Sequence, residues 1–192
     1  MLETNETIET LLSRRSIRRY LNEPLDQDIL RAIVDVGLRA PTAGGCQATT
    51  LVVCRDRETN ELLGRISNDL YDEGAYPVSV AQPSTACERG PRNAFYGAPV
   101  VVRILTPKCW DYAAADAAIC AYAMMVAAKS LGVGSCYISR AKRTLATPEG
   151  LAFLERAGVP KDYEGACHVL LGYPESWDAD EHGLYPDREF WC

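Results

Sequence analysis

The sequence predicts an α+β or three-layer fold in which helices cover a small mixed β-sheet, all within one domain spanning residues 1–192. Three observations carry this prediction. Segments of helical and of strand period follow one another as helix, helix, strand, helix, loop, strand, helix, strand, helix, strand. The strand-like runs are few and short. With 47% hydrophobic and 24% charged residues, 192 residues are enough for one buried core. No internal repeat, low-complexity stretch or break in composition marks a linker.

Each element has its own signal. Ile8, Leu11 and Leu12 recur at helical spacing over Glu6 to Arg14. Ile29, Leu30, Ile33, Val34 and Leu38 do the same over Asp26 to Arg39, and Pro41 stops that helix because its ring disfavours helical backbone at Ala40. Thr49 to Cys54 is a β-branched, apolar run that reads as a buried strand, and Asp56 is placed to cap a helix reaching about Tyr71. From Tyr71 to Gly97 no period is sustained, and prolines, glycines and aromatics alternate. A span of this length is expected to be a functional lid or binding loop. Pro99 to Leu105 gives a second strand. Tyr112 to Leu131, rich in Ala and apolar on several faces, predicts a central buried helix ended by Gly132 and Gly134. Val133 to Ile138 gives a third strand, Thr147-Pro148 starts a short helix ending near Gly158, and His168 to Leu171 gives a fourth strand.

Charge and cysteine usage exclude several functions. A formal net charge of -6 disfavours a general nucleic-acid surface. No apolar run approaches the roughly 20 residues that span a bilayer, and the acidic start Met1-Leu2-Glu3-Thr4-Asn5-Glu6 is unlike a signal peptide, so a cytoplasmic location is expected. The eight cysteines are scattered without CxxC spacing and read as reduced thiols. Neighbours Cys167 and His168 would point to opposite faces of a strand and make a poor ligand pair, so no metal site is expected.

Two segments carry the chemistry. Arg14, Arg15, Ser16 and Arg18 set three guanidinium groups and a hydroxyl at a helix end, and arginine is the side chain best suited to fork onto phosphate oxygens. In a chain of this net charge, such a cluster suits one small anion. The run Ala40-Pro41-Thr42-Ala43-Gly44-Gly45-Cys46-Gln47 is small, turn-rich and nearly uncharged, so it can lie against a flat ring. Together the two segments point to a bound flavin.

Their order and spacing resemble the nitroreductase family of FMN-dependent oxidoreductases. Arg14, Ser16 and Arg18 match its Arg-x-Ser-x-basic motif, and Ala40, Pro41, Thr42 and Gln47 match its Ala-Pro-Ser loop. Gly45 stands where Asn is common in that loop, and Ala48-Thr49 replaces the usual Pro-Trp. The run from Asp116-Ala117-Ala118 to Gly132-Val133-Gly134-Ser135-Cys136-Tyr137-Ile138 looks like the family's central helix, its Gly-x-Gly turn and the next strand. Gly172-Tyr173-Pro174 and Arg188 resemble its C-terminal features.

The resemblance implies a small, mostly antiparallel central sheet and an intertwined homodimer with FMN at the subunit interface. It implies FMN contacts from Arg14, Arg15, Ser16, Arg18, Pro41, Thr42, Ala43, Gly45, Gln47, Arg188 and the main chains of Tyr137 and Ile138. By the same resemblance Arg14 meets the phosphate, Ser16 the ribityl or phosphate oxygens, and Arg18 the pyrimidine edge. A cation there favours the reduced anion. Tyr71, Tyr76, Asn93, Phe95, Tyr96 and Trp110 are candidates for the substrate side, five of them in the unmatched segment of about 71–97. The implied reaction passes hydride from NADH or NADPH through the flavin to a nitroaromatic, quinone or similar small acceptor. No catalytic acid or base is expected among the side chains. The alternatives are a flavin-binding redox sensor or storage protein, a related dehalogenase or flavin-dependent dehydrogenase, and a cysteine-dependent enzyme on a similar scaffold.

Overall fold

The computed structural model describes residues 4–72, 93–177 and 190–191, without the side chains of residues 71–72. Its elements are α1 (Glu6–Ser13), α2 (Gln27–Leu38), a 3₁₀ turn at Ala43–Gly45, β1 (Thr50–Cys54), α3 (Arg57–Asp72), β2 (Val100–Pro107), α4 (Ala113–Ser130), β3 (Gly134–Ile138), α5 (Ala141–Leu145), α6 (Pro148–Arg156) and β4 (Tyr163–Gly172). The helix starts follow their caps. Asn5 accepts from Ile8 N, Asp26 from Asp28 N and Ile29 N, Asp56 from Thr59 N, and Thr147 from Gly150 N.

The sheet has the order β1-β2-β4-β3, and every pair is antiparallel. The expected mixed sheet is corrected on this point: the parallel pairing is confined to an isolated bridge between Ser16 and Ser135. Two further differences have local causes. β4 begins at Tyr163, well before the predicted His168, because Glu164, Gly165 and Ala166 have weak strand preference on their own and are held by pairing with β2. The helix α5 has one turn and three polar residues in five, too short to show a period. Gly165 makes room for it, since a Cβ there would lie 2.7 Å from Leu145 Cδ1 and 3.0 Å from Ala141 O.

Strand alternation divides the interior in two. One face places Val100, Val102, Ile104, Cys167, Val169 and Leu171 against α2 and α4. The other places Cys54, Val101, Leu105, Cys136, Ile138 and Leu170 in a core with Leu63 of α3, Leu145 of α5 and Phe153 of α6. The result is three layers, with Cys167 and His168 on opposite faces as expected. Each fully buried Leu, Ile or Met contributes about 1.5–3 kcal/mol by leaving water.

The helix α4, expected to be central and buried, is buried on its inward side in the single chain. Ala117, Cys120, Ala121, Met124, Met125 and Ala128 pack inward, whereas Tyr112, Ile119 and Tyr122 remain exposed. Its 18 residues reach the length and composition of a membrane span, although no apolar run of that kind was expected from the sequence. Its inward face is nevertheless packed on the sheet as a core helix.

The second core holds an unusual charge. Arg103 is fully buried, donating to Asn60 Oδ1 at 2.9 Å and Val101 O at 3.3 Å, with its guanidinium 4.4 Å from the centre of the Phe153 ring. Burial pulls its pKa down to about 10. Its cross-strand neighbour His168 is also fully buried, and both ring nitrogens lack a hydrogen-bond partner.

Candidate functional site

The arginine-rich segment is positioned by the outer edge of β3. The helix α1 ends because Arg14 turns to extended backbone (φ -62°, ψ 132°). Ile17 N then donates to Ser135 O at 2.9 Å beside the Ser16–Ser135 bridge. Further on, Leu21 N donates to Tyr173 O at 2.9 Å and Tyr20 bridges Pro174. Both ends of the segment are thus fastened to the sheet. Ile17, 3% exposed, points inward, and Gly134 admits it: a Cβ on Gly134 would lie 2.9 Å from Ile17 Cγ2.

The side chains of this segment have distinct environments. Arg14 is half-buried, and its Nη1 is buried without a hydrogen-bond partner. Such an atom calls for an acceptor. Arg15 folds back to donate to Leu12 O at 2.8 Å and Arg14 O at 3.1 Å, which satisfies carbonyls at the end of α1. Ser16 is half-buried, and Arg18 is exposed with its guanidinium 5.9 Å from the centre of the Tyr96 ring. Burial raises the Cys136 thiol pKa, against the opposing pull of Arg18 and Arg14. Tyr20 donates to Ile17 O at 2.6 Å, and burial raises its phenol pKa well above the ordinary value.

Residues Tyr137 and Ile138 follow on the same strand. Because a strand's main-chain groups alternate sides and Ser135 O faces outward to Ile17, the main chain of Tyr137 also faces the outer edge, away from β4. Ile138 turns its main chain toward β4. The Tyr137 phenol is pushed up to about 12 by burial and by the Cys167 thiol.

The loop after α2 is built from unusual backbone. Gly44, Gly45 and Gln47 have φ of 60°, 68° and 50°. Nothing would obstruct a Cβ at Gly45, so the family's common Asn fits there, being the side chain that best tolerates this region. Gln47 adopts it at a cost of order 1 kcal/mol and is held there by donating its N–H to Thr42 Oγ1 at 2.8 Å. Pro41 and residues 44–47 are exposed. Ala43 N donates to Asp116 Oδ1 at 2.9 Å, and Trp110 Nε1 donates to Asp116 Oδ2 at 2.8 Å.

One chain does not bring the two segments together. The loop is fastened to Asp116 in the first turn of α4, whereas the arginine segment lies on the strand that follows its last turn. From Asp116 to Leu131 the helix rises about 22 Å.

The aromatic candidates separate in the same way. Tyr96 (φ 52°) sits on the turn beside Arg18, and Trp110 beside the loop. Phe95 is 1% exposed and meets His168 edge-on at 5.0 Å, so the expectation that it stacks on a substrate is corrected: its ring belongs to the second core. Asn93 is occupied with the turn, accepting from Phe95 N at 2.8 Å against Gly64 of α3. Tyr71 lies in the last turn of α3 with no side chain described, and Tyr76 and Arg188 lie outside the described residues. Among the described residues no group of three or more His, Cys, Asp or Glu is arranged to hold a metal.

Sequence reasoning missed Asp116, Arg103 and Tyr20 as positioning groups. The first two carried a signal: one acidic residue opens an Ala-rich helix, and one Arg interrupts the run Val100-Val101-Val102.

Comparison with known proteins agrees with this geometry. The model of the Nitroreductase family matches residues 11–173. A Vibrio harveyi protein named NADPH-flavin oxidoreductase is 30% identical over 172 residues, covering 89% of this chain and 67% of its own length. A crystal structure of a nitroreductase with bound FMN from Bacteroides fragilis matches with a TM-score of 0.80 and 28% identity, over 98% of this chain and 100% of that one. Another, from Desulfitobacterium hafniense and also with bound FMN, matches with a TM-score of 0.82 and 25% identity, over 99% and 100%. The helix-covered antiparallel sheet is that of one class of α+β oxidoreductase. The chain belongs to the Nitroreductase family.

Proposed function

We propose that this protein is an FMN-dependent NAD(P)H oxidoreductase that reduces a small acceptor such as a nitroaromatic or quinone. The observation that carries the reading is the buried, unpartnered Nη1 of Arg14, fixed beside the edge of β3. An anionic phosphate supplies the acceptor this atom lacks. Ser16 adds a hydroxyl for the phosphate or ribityl oxygens, Arg18 a cation for the pyrimidine edge, and the outward main chain of Tyr137 a contact near N5. Arg15, which donates to carbonyls at the end of α1, adds positive charge beside the site. Bound FMN supplies the redox chemistry, exchanging a hydride at N5. The protein binds and orients it, and no side-chain acid or base is required.

The reading includes a homodimer. The exposed α4 face with Tyr112, Ile119 and Tyr122 supplies an apolar surface. The loop of residues 41–47, about 22 Å along α4 from the arginine segment of its own chain, reaches the flavin held by the partner.

The test is the visible absorption spectrum of purified protein before and after anaerobic addition of NADPH or NADH. A flavin band that bleaches supports the reductase; a band that persists with both donors argues against it. Arg14→Ala is expected to weaken FMN binding by about ten- to a hundredfold, the scale of a lost charge-assisted bond. His168→Ala, flavin-loaded, is expected to retain turnover.

A further inference from the structure

Among the described acidic side chains, Asp116 is singular in being 2% exposed. Both of its oxygens are occupied by neutral donors from other segments: Ala43 N at 2.9 Å on Oδ1 and Trp110 Nε1 at 2.8 Å on Oδ2. A backbone N–H and an indole N–H can only donate, so the group between them must offer an acceptor to each. A carboxyl group, with an oxygen on either side, does this; an amide, with one acceptor and an NH₂, does not. Asp116 lies in the first turn of α4.

The loop it fastens is built from its own turn and held to the molecule at Asp116. Residues 44–47 are exposed, three of them have left-handed backbone, and the turn has its own bonds from Gly45 N to Thr42 O and Gln47 N to Thr42 Oγ1. Those bonds set the turn's shape, but the Asp116–Ala43 bond sets where it sits on the molecule. We infer that Asp116 is a positioning residue that locks the residue 42–47 loop to α4 and couples it, through the shared carboxylate, to Trp110. This rests on the reading that the loop contacts flavin. It adds that the loop geometry and the placement of Trp110, an aromatic group for the acceptor side, are set together.

The experiment compares Asp116→Asn, Trp110→Phe and the double variant by FMN affinity and by amide hydrogen exchange at Ala43 and Gln47 in the FMN-free protein. In Asp116→Asn one donor must face the new NH₂. We expect Ala43 exchange to quicken by about tenfold or more and FMN to bind about ten- to a hundredfold more weakly. In the double variant the indole N–H is gone, the amide oxygen can turn to Ala43, and both quantities are expected to recover most of the loss. That rescue is one a merely structural role does not produce. A folded Asp116→Asn in which Ala43 exchange and FMN affinity are both unchanged overturns the inference, and so does a loss that Trp110→Phe fails to restore. Should Asp116→Asn not fold, Ala43→Pro removes the donor instead. The extended backbone of Thr42 (φ -126°, ψ 157°) suits a following proline, and unchanged FMN affinity in that variant overturns the inference. If wild-type protein binds no FMN, the flavin reading fails, and hydrogen exchange still decides whether Asp116 locks the loop.

Discussion

His168 shows how a single residue can shape pH behaviour while taking no part in chemistry. Its ring is enclosed with Phe95 at its edge and the Arg103 and Arg140 guanidinium groups nearby, and burial, reinforced by those cations, drives its pKa well below the ordinary 6.5. The folded protein therefore keeps His168 neutral where the unfolded chain takes up a proton. This contribution to stability is fully present above about pH 6.5 and is lost as pH falls toward the depressed folded value. The slope approaches about 1.4 kcal/mol per pH unit at its steepest. Denaturant unfolding at pH 8, 6 and 5 is expected to show this decline in the wild type and a flatter one in His168→Leu. Equal slopes would place the acid sensitivity elsewhere.

At the scale of elements, the site depends on how closely the arginine segment lies on β3. Gly132 and Gly134 look alike in the sequence, yet they serve different needs. Gly132, at φ 73° with open space around it, ends α4 in a conformation glycine adopts without strain. Gly134 has no such backbone and instead leaves room for Ile17. Gly134→Val is expected to cost about 1–3 kcal/mol through overpacking and to weaken FMN binding at the same time, because the strained contact anchors Arg14 to Arg18. Thermal unfolding and flavin titration check the two effects together; lost stability with full FMN affinity would separate the segment from the site.

The same elements show what could be read beforehand. The helices α1, α2, α4 and α6, and the strands β1 to β3, follow from apolar period and caps, since both are local properties. The first half of β4 and all of α5 depend on β2 and on each other, so no local window reveals them. Site residues divide likewise. The motif located the arginine segment and loop, but the burial of Phe95 and the two hydrogen bonds donated to Asp116 arise only from packing between distant segments.

For the whole molecule, the proposed dimer makes α4 the link between fold and assembly. Its inward face completes the core, while its outward Tyr112, Ile119 and Tyr122 face water in the single chain. Sedimentation is expected to give a dimer. Ile119→Asp, which puts charge on that surface without touching either core, is expected to shift it toward monomer and to release FMN, because each flavin would lose the partner's loop. A monomer that retains FMN would overturn the shared site. The wild-type flavin should accordingly bind more weakly on dilution.

The outer edge of β3 has one further consequence. Beyond the short bridge at Ser16 and Ser135, no strand among the described residues pairs with this edge of the sheet at Tyr137, and an unpaired edge is a template on which another strand can add. A flat cofactor lying along that edge would act as a plug against edge-to-edge self-association. Flavin supply would then govern solubility as well as activity, and protein made faster than its cofactor would be the fraction that aggregates.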